Sequence, residues 1–370
     1  MNLLVVGNGF DINNNLQTKY TDFLDECKSN NLLFATFKKA MTYNFFDNED
    51  WNGFEKLLCH LLETINYLFS HNRGLVQEIT NIKANNGKCD FDFIIRINPN
   101  QLPSSILRYL EIDCFLSQYF YKTFYDGSIA HEGNFENIKN ESFIIKKHFC
   151  YVSQINVTSE YVISEIIDEL LNQLNNLEEL LKEFIKKNTN SKIVNYSEYI
   201  RKTFGNNKKS FEKIISFNYS RTSQNFFKLN EQDVSYIHGS VNSNIVLGIE
   251  NNMIENQLIS ENSIYIKFFK RFRRILKDCN KSYNDKIINK LNDNSKVVFF
   301  GHSLDLADRS IIAPLFEKMY KKYTLYVYGD IDNYKAKLVN LIGLDLYEKL
   351  YHDDKIKFVD IESGIEKMKK

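Results

Sequence analysis

The sequence predicts an α/β protein with a Rossmann-like, mostly parallel sheet, helices on both of its faces and a large helical insertion. Three observations indicate this class. The apolar run Leu3 to Val6 breaks at Gly7-Asn8-Gly9 and then gives way to a helical pattern. Short β runs alternate with helical patterns after residue 210, and a long helical pattern lies mid-chain. Alternating strands and helices favour a parallel sheet that is covered on both faces.

The predicted domain boundaries follow from the position of these patterns. Residues 1–71 and 205–370 are assigned to a Rossmann-like nucleotide-binding domain, and residues 72–204 to a mostly helical insertion. Within the first part, Trp51 to Phe69 has apolar residues at helical spacing.

The insertion contains the clearest helix of the chain. Residues 72–100 are polar and contain glycine, so we expect a loop there with a short strand around Phe91 to Ile95. Pro103 to Tyr125 is predicted to be helical, and Val162 to Ile185 follows the i, i+3, i+4, i+7 rule throughout. This last helix is long enough to serve as a packing surface or the surface of a homo-oligomer as easily as a core helix.

The second part of the predicted Rossmann-like domain supplies the remaining strands, each of which ends in polar or glycine residues. These β runs are Ile214 to Phe217, Val234 to Ile237, Ile245 to Leu247, Val297 to Phe300 and Leu325 to Tyr328.

Composition excludes several classes of protein. The 370 residues are 43% hydrophobic, which is enough for a large core, and the 47 basic and 47 acidic residues balance. Neutral chains are poor general nucleic-acid or membrane-surface binders, so neither partner is expected. The basic stretch Lys267 to Lys277 is predicted to be the solvated face of a helix. The apolar face of that helix would hold Phe268, Phe269, Phe272 and Ile275.

The cysteines and the chain start indicate the compartment. The six cysteines form no Cys-x-x-Cys pair, so we expect no structural zinc and no other metal. The N-terminus reads as a strand rather than a basic leader, and no apolar run reaches the ~18 residues of a membrane span. We therefore expect a cytoplasmic protein without membrane contact.

Chemistry is expected where the strands end, because ligands of open parallel sheets lie outside the carboxyl ends of the strands. Gly7-Asn8-Gly9 with Asp11 follows the first strand, and Asn218 follows the Ile214 strand. His238-Gly239 follows the Val234 strand, and Gly301-His302-Ser303 follows the Val297 strand. Four strands thus bring hydrogen-bonding groups to one edge.

Each of these residues also has a structural interpretation. Asp11 and Asn218 are suited to cap helices, and Asp308 to open one. His238 has the alternative of a structural histidine at a strand end, and His302 that of a turn residue.

Several blocks of residues resemble the bacteriophage abortive-infection AbiH family, in the same order, between residues 3 and 320. The opening block, the most specific one, is Gly7-Asn-Gly-Phe-Asp-Ile-Asn-Asn-Asn-Leu-Gln-Thr-Lys-Tyr-Thr-Asp-Phe23. The later blocks are Trp51-x-x-Phe-Glu55, Ser216-Phe-Asn-Tyr-Ser-Arg-Thr222, Ile237-His-Gly239, Leu247-Gly-Ile249 and Gly301-His-Ser-Leu-Asp-x-x-Asp308. Residues 72–210 carry none of the resemblance.

This family is in turn distantly similar to the sirtuin-like NAD-binding fold. The similarity implies that the glycine turn holds the dinucleotide, that Asn218 binds the ribose side and that His238 is catalytic, with Asp11 beside them. The cofactor-binding candidates are Gly7, Asn8, Gly9, Phe10, Gly239, Gly301, His302 and Ser303. The chain departs from the sirtuin pattern in three ways. It has no zinc ribbon, it lacks the arginine-containing loop of true sirtuins, and Ser220 stands where sirtuin-like NAD hydrolases have Asp.

The resemblance therefore implies a phage-defence protein that hydrolyses NAD or a related nucleotide at the N-glycosidic bond. In that mechanism Gly7 and Gly9 would offer backbone N–H groups to the pyrophosphate. One alternative is a nucleotide-binding sensor without catalysis. Another is a metal-dependent nuclease or nucleotide phosphohydrolase that uses Asp11, Glu55, Asp305 and Asp308.

Overall fold

A computed structural model of the chain divides by its internal contacts into two units. The parallel-sheet unit comprises Met1–Cys27, Glu178–Met253 and Phe268–Lys370, and the antiparallel-sheet unit comprises Lys28–Leu177 and Ile254–Lys267. The structure describes residues 1–43, 45, 51–70, 76–85, 88–97, 103–116, 120–122, 143–152, 159–190, 196–205, 211–250, 264–279, 287–318 and 320–369.

Strands and helices alternate over much of the chain. The strands are β1 (Asn2–Val6), β2 (Val76–Asn85), β3 (Lys88–Ile97), β4 (Phe120–Lys122), β5 (Phe143–Val152), β6 (Lys213–Ser216), β7 (Val234–Tyr236), β8 (Lys296–Phe300), β9 (Lys322–Val327) and β10 (Ile356–Asp360). The helices are α1 (Gly9–Asn13), α2 (Tyr20–Glu26), α3 (Leu32–Thr42), α4 (Trp51–Ser70), α5 (Ser104–Ile112), α6 (Ser159–Asn190), α7 (Glu198–Phe204), α8 (Thr222–Phe227), α9 (Lys270–Leu276), α10 (Arg309–Glu317), α11 (Ile331–Ile342), α12 (Leu344–His352) and α13 (Ile361–Lys369).

The parallel-sheet unit confirms the predicted α/β class. Its six strands run in the order β10-β9-β8-β1-β6-β7, and every neighbouring pair is parallel. The first strand of the chain therefore lies inside the sheet, which explains why Leu3 to Val6 is an unbroken apolar run. Each of these four residues is fully buried.

Successive side chains of β1 enter two separate cores because side chains of a strand alternate between faces. Leu3 and Val5 pack with apolar residues of α10, α11 and α12. Leu4 and Val6 pack with apolar residues of α1, α7, α8 and α13. Helices thus cover both faces of the sheet, as the sequence predicts.

The predicted strands after residue 205 are confirmed except for one. β6, β7, β8 and β9 match the expected β runs, but Ile245 to Leu247 forms only an isolated antiparallel bridge between Gly239 and Ile245. β10 was not predicted, since this sheet-edge strand is only partly buried and lacks a continuous apolar run.

The antiparallel-sheet unit contains a four-stranded sheet in the order β2-β3-β5-β4. The prediction of a loop over 72–100 was wrong, because β2 and β3 pair there, although a strand around Phe91 to Ile95 is confirmed. Register shifts interrupt the β2–β3 pairing and disturb the alternation by which strands are recognised. The helix predicted over Pro103 to Tyr125 ends at Ile112, and β4 follows it.

The contact-based division places some helices differently from the boundaries drawn from the sequence. α3 and α4 belong to the antiparallel-sheet unit, and the segment from Glu178 through α7 belongs to the parallel-sheet unit. Amphipathic spacing identifies α4 and α6 as helices, and both are confirmed, but spacing does not identify the surface that a helix covers. No helix in the described ranges combines the length and apolarity that crossing a bilayer requires.

Candidate functional site

Four neighbouring strands of the parallel sheet end at one edge, where the sequence placed its site residues. Val6 of β1 is in register with Phe300 of β8 and with Ser216 of β6, and Ser216 is in register with Tyr236 of β7. The segments that begin at Gly7, Phe217, Ile237 and Gly301 therefore leave the sheet side by side. The predicted convergence of these four segments is present.

Three of the predicted site glycines, Gly7, Gly9 and Gly301, form what we call the glycine contact. A Cβ on Gly9 would lie 2.6 Å from the Gly301 Cα, and a Cβ on Gly7 would lie 2.6 Å from the Gly301 carbonyl oxygen. Gly301 also has a φ of +61°, which side chains disfavour. Close packing between two backbone turns thus accounts for all three glycines.

The backbone N–H groups of the glycine contact are engaged within the protein. Gly7 N donates to the Phe300 carbonyl over 3.1 Å, and Gly9 N donates to the Gly301 carbonyl over 2.9 Å. The prediction that these two N–H groups face a pyrophosphate is therefore corrected. The spacing of glycines could not distinguish approach to a ligand from approach to a second turn.

The two other cofactor candidates of the opening turn are also occupied by the protein. The Asn8 amide oxygen accepts from the Thr18 hydroxyl over 2.7 Å, which ties the turn to the segment before α2. Phe10 is fully buried and packs edge-on against Phe226 and Phe300. Both side chains support the turn structurally.

Asp11, in contrast, keeps one carboxylate oxygen without a partner. Its Oδ2 accepts from the Ser220 hydroxyl over 2.5 Å, whereas the buried Oδ1 has no hydrogen-bond partner among the described residues. Burial raises the pKa of Asp11 to about 6, against the lowering effect of Ser220, Thr222 and Asn218. Asp11 therefore titrates close to neutrality and retains an acceptor for a ligand.

Asn218 is buried at the end of β6 with its amide nitrogen and amide oxygen both unpartnered among the described residues. Its backbone is fixed, since Asn218 N donates to the Ser216 hydroxyl over 3.2 Å and the same hydroxyl donates to the Asn218 carbonyl. Helix α8 is preceded by Arg221 as its N-cap residue. Asn218 therefore does not cap that helix, and a buried unpartnered amide costs free energy unless a ligand satisfies it.

His238, Asp308 and His302 form a linked group that we call the histidine–aspartate group. The Asp308 Oδ1 lies 3.1 Å from His238 Nε2, and its Oδ2 lies 3.4 Å from His302 Nε2. His302 Nδ1 accepts from Leu304 N over 3.0 Å, which assigns the ring proton of a neutral His302 to Nε2. Asp308 is the N-cap residue of α10 but makes no side-chain cap bond, because its carboxylate faces the two rings instead.

The histidine–aspartate group fixes the protonation of His238. Burial and the charge of Lys270 lower the pKa of His238 to about 4, against the raising effect of Asp308. Burial opposes ionisation of Asp308, but hydrogen bonds from His238 and His302 hold its pKa well below the ordinary value. A neutral His238 therefore donates from Nε2 to Asp308. Its Nδ1 is buried without a partner among the described residues and remains an acceptor.

Phe217 connects the ends of β6, β7 and β8. Its ring centroid lies 5.6 Å from that of His238 and 4.3 Å from that of His302. The Tyr219 ring lies 6.5 Å from His238 on the other side of Asn218 in sequence. These aromatic contacts, with the hydrogen bond from Ser220 to Asp11, place Asp11, Asn218 and His238 in one neighbourhood, since Ser220 lies two residues after Asn218.

The two remaining site candidates serve the turns in which they lie. Gly239 has a φ of +80°, and a Cβ there would lie 1.7 Å from the Asn244 carbonyl oxygen. The Ser303 carbonyl accepts from Lys337 Nζ over 3.3 Å.

The predicted solvated basic helix was wrong for three of its cations and for Ile275, although Phe268 and Phe269 are buried as predicted. In α9, Lys270, Arg273 and Arg274 are each at most 5% exposed, whereas Ile275 is 67% exposed. The charges of Lys270 and Arg274 act on His238, so α9 belongs to the site. Sequence reasoning missed this because it assumed that charged residues face solvent. The sequence did contain a signal for a functional role of this helix, namely a cluster of cations in a chain whose charges otherwise balance.

Two of the carboxylates proposed for a metal alternative, Asp305 and Asp308, contact side chains of the protein instead. Within the parallel-sheet unit, Asp305 lies 3.7 Å from Lys337, and the Asp308 carboxylate faces two histidines. In the part of the chain that the structure describes, no group of three or more His, Cys, Asp or Glu is arranged to hold a metal ion.

The family model described as "Bacteriophage abortive infection AbiH" matches residues 3–328, which include every strand of the parallel sheet except β10. No curated protein and no solved structure matches the chain.

Proposed function

Because the chain belongs to the bacteriophage abortive infection AbiH family, its role is in abortive infection, and we propose that it acts by hydrolysing NAD or a related nucleotide. The bond cleaved would be the N-glycosidic bond of the nicotinamide ribose. The similarity to the sirtuin-like fold remains a prediction.

One observation carries the proposal: His238 presents an unpartnered Nδ1 while Asp308 fixes its opposite ring nitrogen. A base that is oriented by a third group is the arrangement found in many hydrolases. Asn218 and Asp11 add unpartnered acceptors and donors in the same neighbourhood. These groups suit a ribose and an attacking water better than an apolar ligand.

The proposed reaction consumes one water and yields nicotinamide, ADP-ribose and one proton. The C–N bond to the nicotinamide breaks, and nicotinamide leaves as a neutral molecule because it carries a positive charge while it is bound to the ribose. The water oxygen bonds to the ribose carbon, and a proton passes from the water to His238 Nδ1. A weak base suffices, since water that attacks an oxocarbenium-like centre becomes strongly acidic. Ionised Asp11 would stabilise that centre, and Asn218 would hold ribose hydroxyls.

The test is to incubate the purified full chain with NAD and to follow nicotinamide release. We expect release by the wild type and a loss of about a hundredfold or more in His238→Ala and Asn218→Ala, as is typical when acid–base groups are removed. The exposed residues His352 and Asn225 give matched controls, His352→Ala and Asn225→Ala, which should retain the wild-type rate. Equal rates in His238→Ala and the wild type would exclude the proposed mechanism.

A nucleotide sensor without catalysis is the second candidate, and Ser220 favours it. Ser220 stands where sirtuin-like NAD hydrolases have Asp, and its hydroxyl donates to Asp11 instead of facing a ligand. Binding of NAD by the wild type without any nicotinamide release would support the sensor and reject the hydrolase.

A further inference from the structure

If the ligand at this edge of the sheet is a nucleotide, groups other than the opening glycine turn must bind its phosphates. The Gly7 and Gly9 N–H groups donate to protein carbonyls, so the opening turn does not offer them to a phosphate. Cationic side chains are the other common partners of phosphate oxygens. Helix α9 places several such side chains inside the parallel-sheet unit.

The orientation of α9 is costly by ordinary rules of burial. Lys270, Arg273 and Arg274 are buried, while the apolar side chains of Ile275 and Leu276 are 67% and 65% exposed. Burying a cation costs free energy unless anions and hydrogen bonds compensate it. Apolar residues facing inward would fill the same space without that cost, so packing alone does not explain this helix.

One buried donor of Arg274 has no compensating acceptor among the described residues. Arg273 Nη2 donates to Glu178 Oε2 over 2.8 Å, and Lys277 shares the same carboxylate. Arg274 Nη2 donates to Glu250 Oε1 over 2.6 Å, but Arg274 Nη1 is buried without a partner among the described residues. A buried guanidinium N–H group without an acceptor is a donor that an anion would satisfy.

The same cations lie next to the proposed base. Lys270 and Arg274 both act on His238 through their charge, and Lys270 acts also on Asp308 and Glu250. Backbone contacts support this placement, because Val246 N donates to the His238 carbonyl over 2.9 Å and, three residues further on, the Ile249 carbonyl accepts from Lys270 N over 2.8 Å. The cations therefore lie within electrostatic reach of the point where a ribose would be bound.

We propose that Lys270 and Arg274 form an anion subsite beside His238, which takes the pyrophosphate of a dinucleotide. This inference rests on the proposed function for its ligand class, and it names the feature by which the site would select NAD over a phosphate-free nucleoside. In this proposal the subsite binds the pyrophosphate, which the sequence analysis expected the glycine turn to bind. Arg273 and Lys277 both pair with Glu178 and thereby hold α9 in place.

The experiment measures the Kd of inorganic pyrophosphate and of ADP-ribose by calorimetry, without any chemical step. We expect both probes to bind the wild type, and Lys270→Met to weaken both by about tenfold or more, as loss of a charge-assisted contact does. Arg271→Met is the matched control, since Arg271 is exposed on the same helix, and its Kd should stay within about twofold. Added salt should weaken binding in the wild type more than in Lys270→Met.

A second variant guards against a folding defect. Arg274→Met combined with Glu250→Gln removes a buried ion pair together, so the net charge is unchanged, and the variant should fold while binding pyrophosphate more weakly. Failure of both probes to bind the wild type, or an unchanged Kd in folded Lys270→Met, would overturn the subsite whether or not NAD is hydrolysed. Binding that depends on Lys270 without nicotinamide release would keep the subsite and reject the hydrolase.

Discussion

The glycine contact and the histidine–aspartate group lie at the ends of neighbouring strands but use their polar groups differently. In the glycine contact, the N–H groups of Gly7 and Gly9 donate to protein carbonyls. Backbone atoms of the facing turn occupy the space that a Cβ on each glycine would need. In the histidine–aspartate group, Asp308 orients two rings, and His238 Nδ1 is left unpartnered.

The difference teaches that a motif and a site are separate matters. The opening glycines are the most specific feature of the sequence, yet their structure is explained by packing of one turn on another. The polar groups that could meet a ligand are the ones that lack a partner while buried, because an unsatisfied buried group costs free energy that a ligand can recover. Gly301→Ala tests the glycine contact and Asp308→Asn the histidine–aspartate group, whereas Asp11→Asn and Ile275→Gln test the burial of neighbouring side chains.

The largest effect is expected from Gly301→Ala. Its Cβ would lie 2.5 Å from the Gly9 Cα, and Gly301 also has a φ of +61°. Overpacking and left-handed strain together should lower the free energy of unfolding by roughly 4 kcal/mol in urea titrations. Gly329→Ala is the control, because Gly329 has a φ of +78° with open space around it, and it should lose only about 1 kcal/mol. Equal losses would refute the close contact.

Asp11→Asn should stabilise the protein in a pH-dependent way. Because burial raises the pKa of Asp11 from 3.8 to about 6, the folded protein keeps a proton that the unfolded chain releases between these values. Stability is therefore lost as pH rises through this window, by up to about 3 kcal/mol above pH 6. The Asn variant should exceed the wild type in unfolding free energy at pH 8, with the gain shrinking toward pH 4.

Denaturant melts of Asp11→Asn and the wild type at several pH values check this. Asp25→Asn, at an exposed position, serves as the control and should show no such trend. A constant difference between Asp11→Asn and the wild type at all pH values would mean that Asp11 is ionised normally.

Asp308→Asn tests the histidine–aspartate group through catalysis. The neutral amide cannot accept from both ring N–H groups, so the ring of His238 loses its fixed orientation. We expect kcat/KM for nicotinamide release to fall about a hundredfold or more, measured below the thermal midpoint of the variant. Asp345→Asn, at an exposed position, should leave kcat/KM unchanged. An active Asp308→Asn would show that the carboxylate does not serve the base.

Ile275→Gln should have the smallest effect. Ile275 is 67% exposed on α9, so a polar side chain of good helix propensity should change the unfolding free energy by no more than about 0.5 kcal/mol. If α9 instead presented its apolar residues inward, the same substitution would cost several times as much, and urea unfolding would detect it.

The fold was predictable where one physical signal dominates. β1, β6, β8 and β9 are short apolar runs, and α4 and α6 have regular helical spacing, so all were predicted. β10 was missed because an edge strand is half-solvated. β2 was missed because register shifts break its alternation. The sequence also did not predict which elements α4 packs against, since amphipathic spacing indicates a buried face but not the surface that covers it.

The position of the site was predictable from the sequence, but the hydrogen bonds between its residues were not. The sequence placed Asn218, His238 and His302 at one edge because parallel strands share the direction of their carboxyl ends. It did not predict that Asp308 joins two histidines over 70 residues of separation from His238, or that Ser220 binds Asp11. Such pairings depend on tertiary distances. The inward cations of α9 contradict the average behaviour of charged residues, which is all that composition can supply.

The most direct test of the central contrast is the protonation of His238, measured by ¹⁵N NMR of ring-labelled protein with His238→Ala to assign the signal. The account predicts a neutral ring at pH 7 with its proton on Nε2, a bare Nδ1 and a titration midpoint at about 4. A ring that is protonated at pH 7, or that carries its proton on Nδ1, would contradict it.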